Sequence, residues 1–330
     1  MPKTTNPDHS PAPSAPLAGV RILSLALNLA GPAGLMRLAR MGARCTKLEA
    51  PAPAGLDTSD PMAHYNPQAY ADMHADIRCL TVDLKSSEGQ ARLHELLPDT
   101  DVLLSAFRPA ALKKLGLDRE SLQARYPRLC IVQVAGAGRE RADQGGHDLL
   151  YQAEAGLLSG LQMPTSLLAA MGCSILIPEA VLQVLMSRQQ DGLGHFAEVS
   201  LLEAAQWLAL PCHWQMAMPD SDLGGAHAAY RVYACADGRV AIAALEPHFV
   251  DRLWQVVQTR KTDTRQDDAE PAGTRSPEAA AVSRATENRP APDMRAADTH
   301  SAISHFFAIH TRAELDALAR AHDIPLVTMP

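Results

Sequence analysis

Apolar residues along this 330-residue chain fall into short runs separated by stretches with helical spacing. Gly19–Ala26, Cys45–Glu49, Leu80–Leu84, Val102–Phe107, Leu129–Val134 and Phe196–Ser200 are of strand length and bounded by polar or turn residues. Between them, apolar positions three and four apart predict helices over Leu35–Met41, Ser87–Leu97, part of the segment from Phe107 to Leu129, Asp148–Leu161, Leu176–Gln190 and Leu202–Leu210. Strands that alternate with helices need a parallel sheet with both faces covered, so the fold class is α/β.

After Met218 the pattern changes. Tyr230–Cys235 and Arg239–Ala244 flank Ala236-Asp237-Gly238, and an Asp-Gly pair between two such runs predicts a hairpin. Helices are expected over Glu246–Gln258 and Ala302–Ala321, followed by a last apolar run at Ile324–Val327. This α+β pattern predicts a small domain over 218–330 after a large one over 17–217. Residues 1–16 are rich in Pro, Ser, Thr and Asn without an apolar run, so a loose tail is expected and not a secretory leader. Over 261–298 the sizeable apolar residues are Val282 and Met294; that segment is expected to be a disordered insertion, unable to offset its ordering entropy.

Composition narrows the function. With 47% hydrophobic and 20% charged residues the chain reads as a soluble globular protein. No run approaches the ~18 to 20 apolar residues of a spanning helix, so no membrane partner and a cytoplasmic location are expected. A net charge of -7 argues against nucleic acid, which calls for a basic surplus. The six cysteines lie far apart with no zinc spacing, so reduced thiols and no metal are expected.

Three segments could carry chemistry. Leu29–Gly34 follows the first strand, where ligands of open parallel sheets bind, although it lacks the GxGxxG fingerprint and a loop of this kind is more often a plain turn. In Gly145-Gly146-His147-Asp148, Asp148 fits a helix N-cap and leaves His147 at the helix's positive end, a place for a proton-abstracting base. A solvated loop histidine beside a capping Asp is the alternative. Leu245-Glu246-Pro247 is ordinary helix-start chemistry.

Taken together, these segments resemble the class III CoA-transferase (CaiB/BaiF) family, which includes the α-methylacyl-CoA racemases. The likeness runs from Pro16 onward: Pro16-Leu17-Ala18-Gly19-Val20-Arg21-Ile22-Leu23, Ala30-Gly31-Pro32, and Leu38-Ala39-Arg40-Met41-Gly42-Ala43 leading to Lys47-Leu48-Glu49. It continues through Asp83-Leu84-Lys85-Ser86-Ser87-Glu88-Gly89, Ala106-Phe107-Arg108-Pro109-Ala110 with Leu115-Gly116-Leu117, and Tyr126-Pro127-Arg128-Leu129. The resemblance implies a Rossmann-like parallel-sheet large domain with a smaller α+β domain, in an interlocked dimer. Gly146-His147-Asp148 is similar to the racemase signature, which implies His147 as a catalytic base with Asp148 beside it. Gly224-Gly225-Ala226 and Leu245–Phe249 are similar to the racemases' small-domain run, implying that Glu246 reaches the partner subunit's site. An acyl-CoA thioester is implied as substrate, with no permanently bound cofactor. Leu29, Ala30, Val82, Asp83, Leu84, Lys85, Phe107, Arg108 and Lys114 are implied as the CoA-binding set, Lys114 as a point charge for phosphate.

The chain also departs from the family. Both branches use a carboxylate ahead of the helix that ends in Arg188–Gly192, as acyl carrier in the transferases and as second acid/base in the racemases. Matching Leu167-Leu168-Ala169 puts Ala170 at that position; a register three residues later puts Cys173 there. A methyl group neither forms an acyl anhydride nor moves a proton. Ala50 and Ala106 replace an Arg and an Asn common in relatives, and relatives run on past Val327–Pro330. The sequence therefore reads as an acyl-CoA-binding, racemase-like protein without the usual Asp. The alternatives are CoA transfer to a carboxylate and a non-catalytic partner subunit, in a homodimer or a heterodimer.

Overall fold

Six parallel strands lie in the order β3-β2-β1-β4-β5-β6 in the computed structural model, which describes residues 15–267 and 291–330. They are β1 (Arg21–Ser24), β2 (Arg44–Glu49), β3 (Arg78–Thr81), β4 (Val102–Ser105), β5 (Cys130–Ala135) and β6 (Phe196–Ser200). Ile22 pairs with Cys45 on one side and Val102 on the other, and Val102 pairs with Cys130. Alternate residues feed two cores. Ile22, Leu104 and Val132 pack with Leu35, Leu38 and Ile177 on one face; Leu23, Leu103 and Ile131 pack with Leu93, Leu117 and Leu122 on the other. Burial on both faces is why the central strands β1, β4 and β5 read as nearly unbroken apolar runs, whereas the edge strand β3 is largely exposed and runs over Arg78–Thr81, ahead of the expected Leu80–Leu84. The strand order reverses direction between β1 and β4, and the crevice beyond their carboxyl ends is the natural ligand position of such a sheet.

The helices of this first unit, Met1–Leu210, are α1 (Ala30–Arg40), α2 (Pro61–Tyr65), α3 (Pro67–His74), α4 (Ser87–Leu96), α5 (Pro109–Lys114), α6 (Arg119–Arg125), α7 (Asp148–Glu154), α8 (Leu168–Asp191) and α9 (Leu201–Leu208). α8 is its spine, burying Ala169, Cys173, Ile177, Ala180, Val181 and Val184. α1 approaches it closely: a Cβ on Gly34 would fall 2.7 Å from Ile177 Cδ1. Of the described helices, α8 is the one long and apolar enough to cross a membrane, yet 56% of its most apolar 18-residue stretch is buried, as in a core helix.

The second unit, Pro211–Pro330, begins within the short α10 (Leu210–His213) and holds an antiparallel sheet in the order β7-β8-β9, made of β7 (Tyr230–Cys235), β8 (Gly238–Ala243) and β9 (Leu326–Met329). With α11 (Pro247–Asp267), α12 (Ala297–Ala308) and α13 (Arg312–His322) it encloses Tyr233, Val240, Ile242, Leu253, Phe307 and Leu315.

Several elements differ from the sequence expectations for identifiable reasons. α1 starts at Ala30 and not Leu35, because Pro32 lies in the first turn, where a missing N–H costs no helical bond. α7 ends at Glu154 well short of Leu161, with Gly156 at φ +79° just beyond it. The helix expected over Ala302–Ala321 is two, parted at Thr311, whose hydroxyl and Glu314 form a capping box for α13. Two short helices, α5 and α6, stand between β4 and β5. The expectation of disorder over 261–298 fails at both ends. α11 runs to Asp267, and Met294 is buried, its carbonyl accepting from the Ala228 N–H at 2.9 Å. One buried Met anchors a stretch whose composition reads as unable to fold. The rest of that segment, 268–290, and residues 1–14 of the tail lie outside the described residues.

Candidate functional site

Loops beyond β1, β4 and β5, with the start of α8, wall a crevice at the point where the strand order reverses. It has two chambers that share Asn28, Ala106, Val134, Ala135, Gly136, Gly146 and His147 as a common wall. The smaller, about 290 Å³, is lined by Leu29, Ala30, Met62, Tyr65, Leu167, Ala170 and Leu201, with Asp148 as its carboxylate. The larger, about 560 Å³, presents Phe107, Arg108, Gln144 and Tyr151. Its glycines are there for fit. A Cβ on Gly136 or Gly146 would fall 2.0 or 2.2 Å from the Tyr151 hydroxyl oxygen, and one on Gly145 3.0 Å from an Arg108 nitrogen.

Asp148 does not cap its own helix, as the sequence suggested. His147 holds the cap position of α7 and Asp148 is the first helical residue. The buried Asp148 carboxylate accepts from the Ala170 N–H at 2.8 Å and from Gln152 Nε2 at 2.5 Å. It thereby satisfies an orphan donor in the first turn of α8, whose own cap residue, Leu167, makes no side-chain cap bond. Gln152 Nε2 also donates to the Ser166 carbonyl at 3.1 Å. These bonds tie the loop that carries His147 to the turn that carries Ala170. Ala170 sits on the chamber wall, 5% exposed. Cys173, the alternative at that position, is fully buried, lines neither chamber, and has its thiol pushed up to about 12 by burial.

The crevice gathers part of the expected CoA-binding set: Leu29 and Ala30 in the smaller chamber, Phe107 and Arg108 in the larger. Val82, Asp83, Leu84 and Lys85 line neither. They follow β3 at the sheet's edge, where the Val82 N–H donates to the Glu49 carbonyl and the Lys85 N–H to Asp83 Oδ1. Lys114 is exposed in the last turn of α5. Glu246 belongs to the second unit, exposed, its carbonyl accepting from the Phe249 and Val250 N–H groups as α11 begins.

Sequence reasoning missed a buried ionic cluster on β2. Lys47 is 0% exposed, and its ammonium meets Asp60 Oδ2 at 2.5 Å, Glu49 Oε1 at 2.8 Å and His74 Nε2 at 3.0 Å. The His74 Nδ1–H donates to the Tyr70 carbonyl at 2.6 Å, which leaves Nε2 as the acceptor for Lys47. Thr58 and Tyr70 hydroxyls donate to Glu49. Burial pushes the Glu49 carboxyl up, but hydrogen bonds from Lys47 and Thr58 outweigh it and hold the group below its ordinary value. Burial, reinforced by the Lys47 charge, lowers His74. Glu49, His74 and Cys79 place donor atoms within 4.8 Å of one another, yet Lys47 already bonds the first two and its charge opposes a divalent cation there.

Both shifts act in one direction with pH. A group lowered in the folded state stabilises fully above its unfolded value and loses that contribution as pH falls. For His74 the loss sets in below its ordinary 6.5, for Glu49 below 4.5. The melting temperature is therefore expected to fall between about pH 7 and about pH 5. His74→Gln, which does not titrate, should flatten that slope in a calorimetric pH series; an unchanged slope would contradict this account of the cluster.

The sequence profile described as CoA-transferase family III matches residues 17–329. Human alpha-methylacyl-CoA racemase is 28% identical over 255 residues, 72% of this chain and 63% of that protein. The succinyl-CoA–D-citramalate CoA-transferase of Chloroflexus aurantiacus is 31% identical over 210 residues, 59% of this chain and 51% of that protein. The chain thus spans between half and two thirds of the length of these relatives. The crystal structure of a CAIB/BAIF family protein from Brucella suis superposes with a TM-score of 0.71 at 23% identity, covering 96% of this chain and 84% of that one, which shows the shared fold.

Proposed function

The chain belongs to CoA-transferase family III, and from that premise we propose that its crevice binds an acyl-CoA thioester and exchanges the α-proton on one face, as a racemase-like site lacking its second acid/base. The carrying observation is that His147 stands on the wall shared by both chambers while a methyl, Ala170, faces the smaller one. Removing a weakly acidic α-proton and returning one to the opposite face takes two acid/base groups. His147 supplies one. Asp148 is engaged with the Ala170 N–H and Gln152, so it is poorly placed either to move a proton or to act as the carboxylate nucleophile of CoA transfer. The small chamber's apolar wall suits a short acyl chain, and Arg108 at the larger one suits the anionic CoA arm.

Isothermal titration with isobutyryl-CoA tests the binding. Arg108→Ala should weaken it about ten-fold, as loss of a charge-assisted hydrogen bond does, and Lys114→Glu by a smaller factor through repulsion. Equal affinity in wild type and Arg108→Ala would remove that residue from the site.

The dimer expected from the family resemblance has a candidate surface within the first unit. Leu168, Met171, Ile175 and Met186 are all at least 37% exposed and recur along α8 at intervals of three, four and eleven residues, one face of the helix. Trp207 of α9 adds a 70% exposed ring. An apolar face of this kind marks an interaction site. Light scattering should give twice the chain mass, and Ile175→Arg should shift it to the monomer; a monomeric wild type would refute the dimer.

A further inference from the structure

Asp60 is the hub of the buried cluster, and both its oxygens are spoken for. Oδ2 takes Lys47 at 2.5 Å, while Oδ1 accepts from the Asn28 N–H at 3.1 Å and the Met62 N–H at 3.0 Å. Asn28 is a non-glycine residue at φ +65°, a left-handed conformation that Asn tolerates better than most L-residues and that a β-branched side chain adopts only under strain. The Asn28 N–H bond to Asp60 is the visible restraint. Asn28, Leu29 and Ala30 wall one side of the smaller chamber; Met62 and Tyr65 of α2, a helix capped by this same Asp60, wall another. One carboxylate, 2% exposed and aimed by an ammonium whose three N–H donors all have partners, thus sets two walls of the crevice. Burying ions in this way stabilises a fold little against apolar replacements, whereas it fixes geometry where a polar network is complete.

We propose that Asp60, clamped by Lys47, is a positioning residue for the acyl-CoA crevice: it holds the Asn28 turn and the start of α2 in the arrangement that receives the thioester. The inference rests on the proposed binding of acyl-CoA for its functional part and on the ligand-free geometry for its structural part, and the two are measured separately.

The first measurement is amide hydrogen exchange of the ligand-free protein. Asp60→Ala should speed exchange over 25–31 and 61–65 at least ten-fold while leaving β4 and β5 protected. Exchange that stays as in wild type over 25–31 would overturn the positioning role. The second is titration with isobutyryl-CoA. Asn28→Val, at an exposed position where the fold is not at risk, should weaken binding about ten-fold, and Asn28→Gly, which adopts the left-handed turn freely, should recover most of that loss. Because both residues act on one turn, the Asp60→Ala/Asn28→Val double variant should bind little worse than the weaker single variant. Fully additive losses, or binding in Asn28→Val equal to wild type, would overturn the link to the ligand. A wild type that fails to bind would instead overturn the acyl-CoA reading, and the exchange result would still decide whether Asp60 positions the turn.

Discussion

Ala170→Asp is expected to raise racemisation of a 2-methylacyl-CoA by ~10²- to 10⁴-fold over wild type, the usual worth of one general acid/base group. The position lies on the wall of the smaller chamber, in the first turn of α8, where a carboxylate also meets the positive end of a helix dipole. An ionisable neighbour is Asp148, already bonded to the backbone N–H of residue 170 at 2.8 Å. Two carboxylates so placed resist ionising together, which favours a proton held between them. A neutral acid is what protonating the enolate from the second face requires. The site is 5% exposed, so some loss of thermal stability should accompany the gain. Cys173→Ala should leave exchange as it is in wild type, since the thiol is buried behind the wall. An Ala170→Asp protein that folds, binds acyl-CoA and racemises no faster would contradict the assignment of that position.

His147→Ala is expected to abolish whatever α-proton exchange the wild type performs, a loss again of ~10²- to 10⁴-fold. His147 is exposed to the crevice from the cap position of α7, and its loop is held through Asp148 to α8. Truncation at the cap removes the imidazole without disturbing a buried bond, so acyl-CoA affinity should stay within a few-fold of wild type. Parallel loss of binding and exchange would make His147 a binding residue and move the base elsewhere.

How much of this was legible in the sequence follows from the range of the interactions. The central strands β1, β4 and β5 were readable because burial on both faces makes each a nearly continuous apolar run, and the Asp-Gly hairpin of the second unit because its turn chemistry is local; the exposed edge strand β3 starts at Arg78, before the apolar run at Leu80–Leu84 that suggested it. Leu29, Ala30, Phe107, Arg108 and His147 were reached through short motifs that resemble the family's, and the fold brings them to one crevice. The role of Asp148 could not: it looks like a local cap, but its partner lies 22 residues on, at Ala170. Lys47 likewise reads as one polar residue in a strand, while its partners Asp60 and His74 are 13 and 27 residues away. The start of α1 was hidden by Pro32, which punctuates a loop and a first helical turn equally well.

The central claim is a crevice that binds an acyl-CoA and can move a proton on one face alone. Deuterium exchange of the two epimers of a 2-methylacyl-CoA, followed by NMR with chiral analysis, tests it most directly. The account predicts that wild-type protein in D₂O slowly labels the α-carbon of one epimer with retention, that His147→Ala labels neither, and that Ala170→Asp interconverts them. Rapid interconversion of both epimers by the wild type would contradict it.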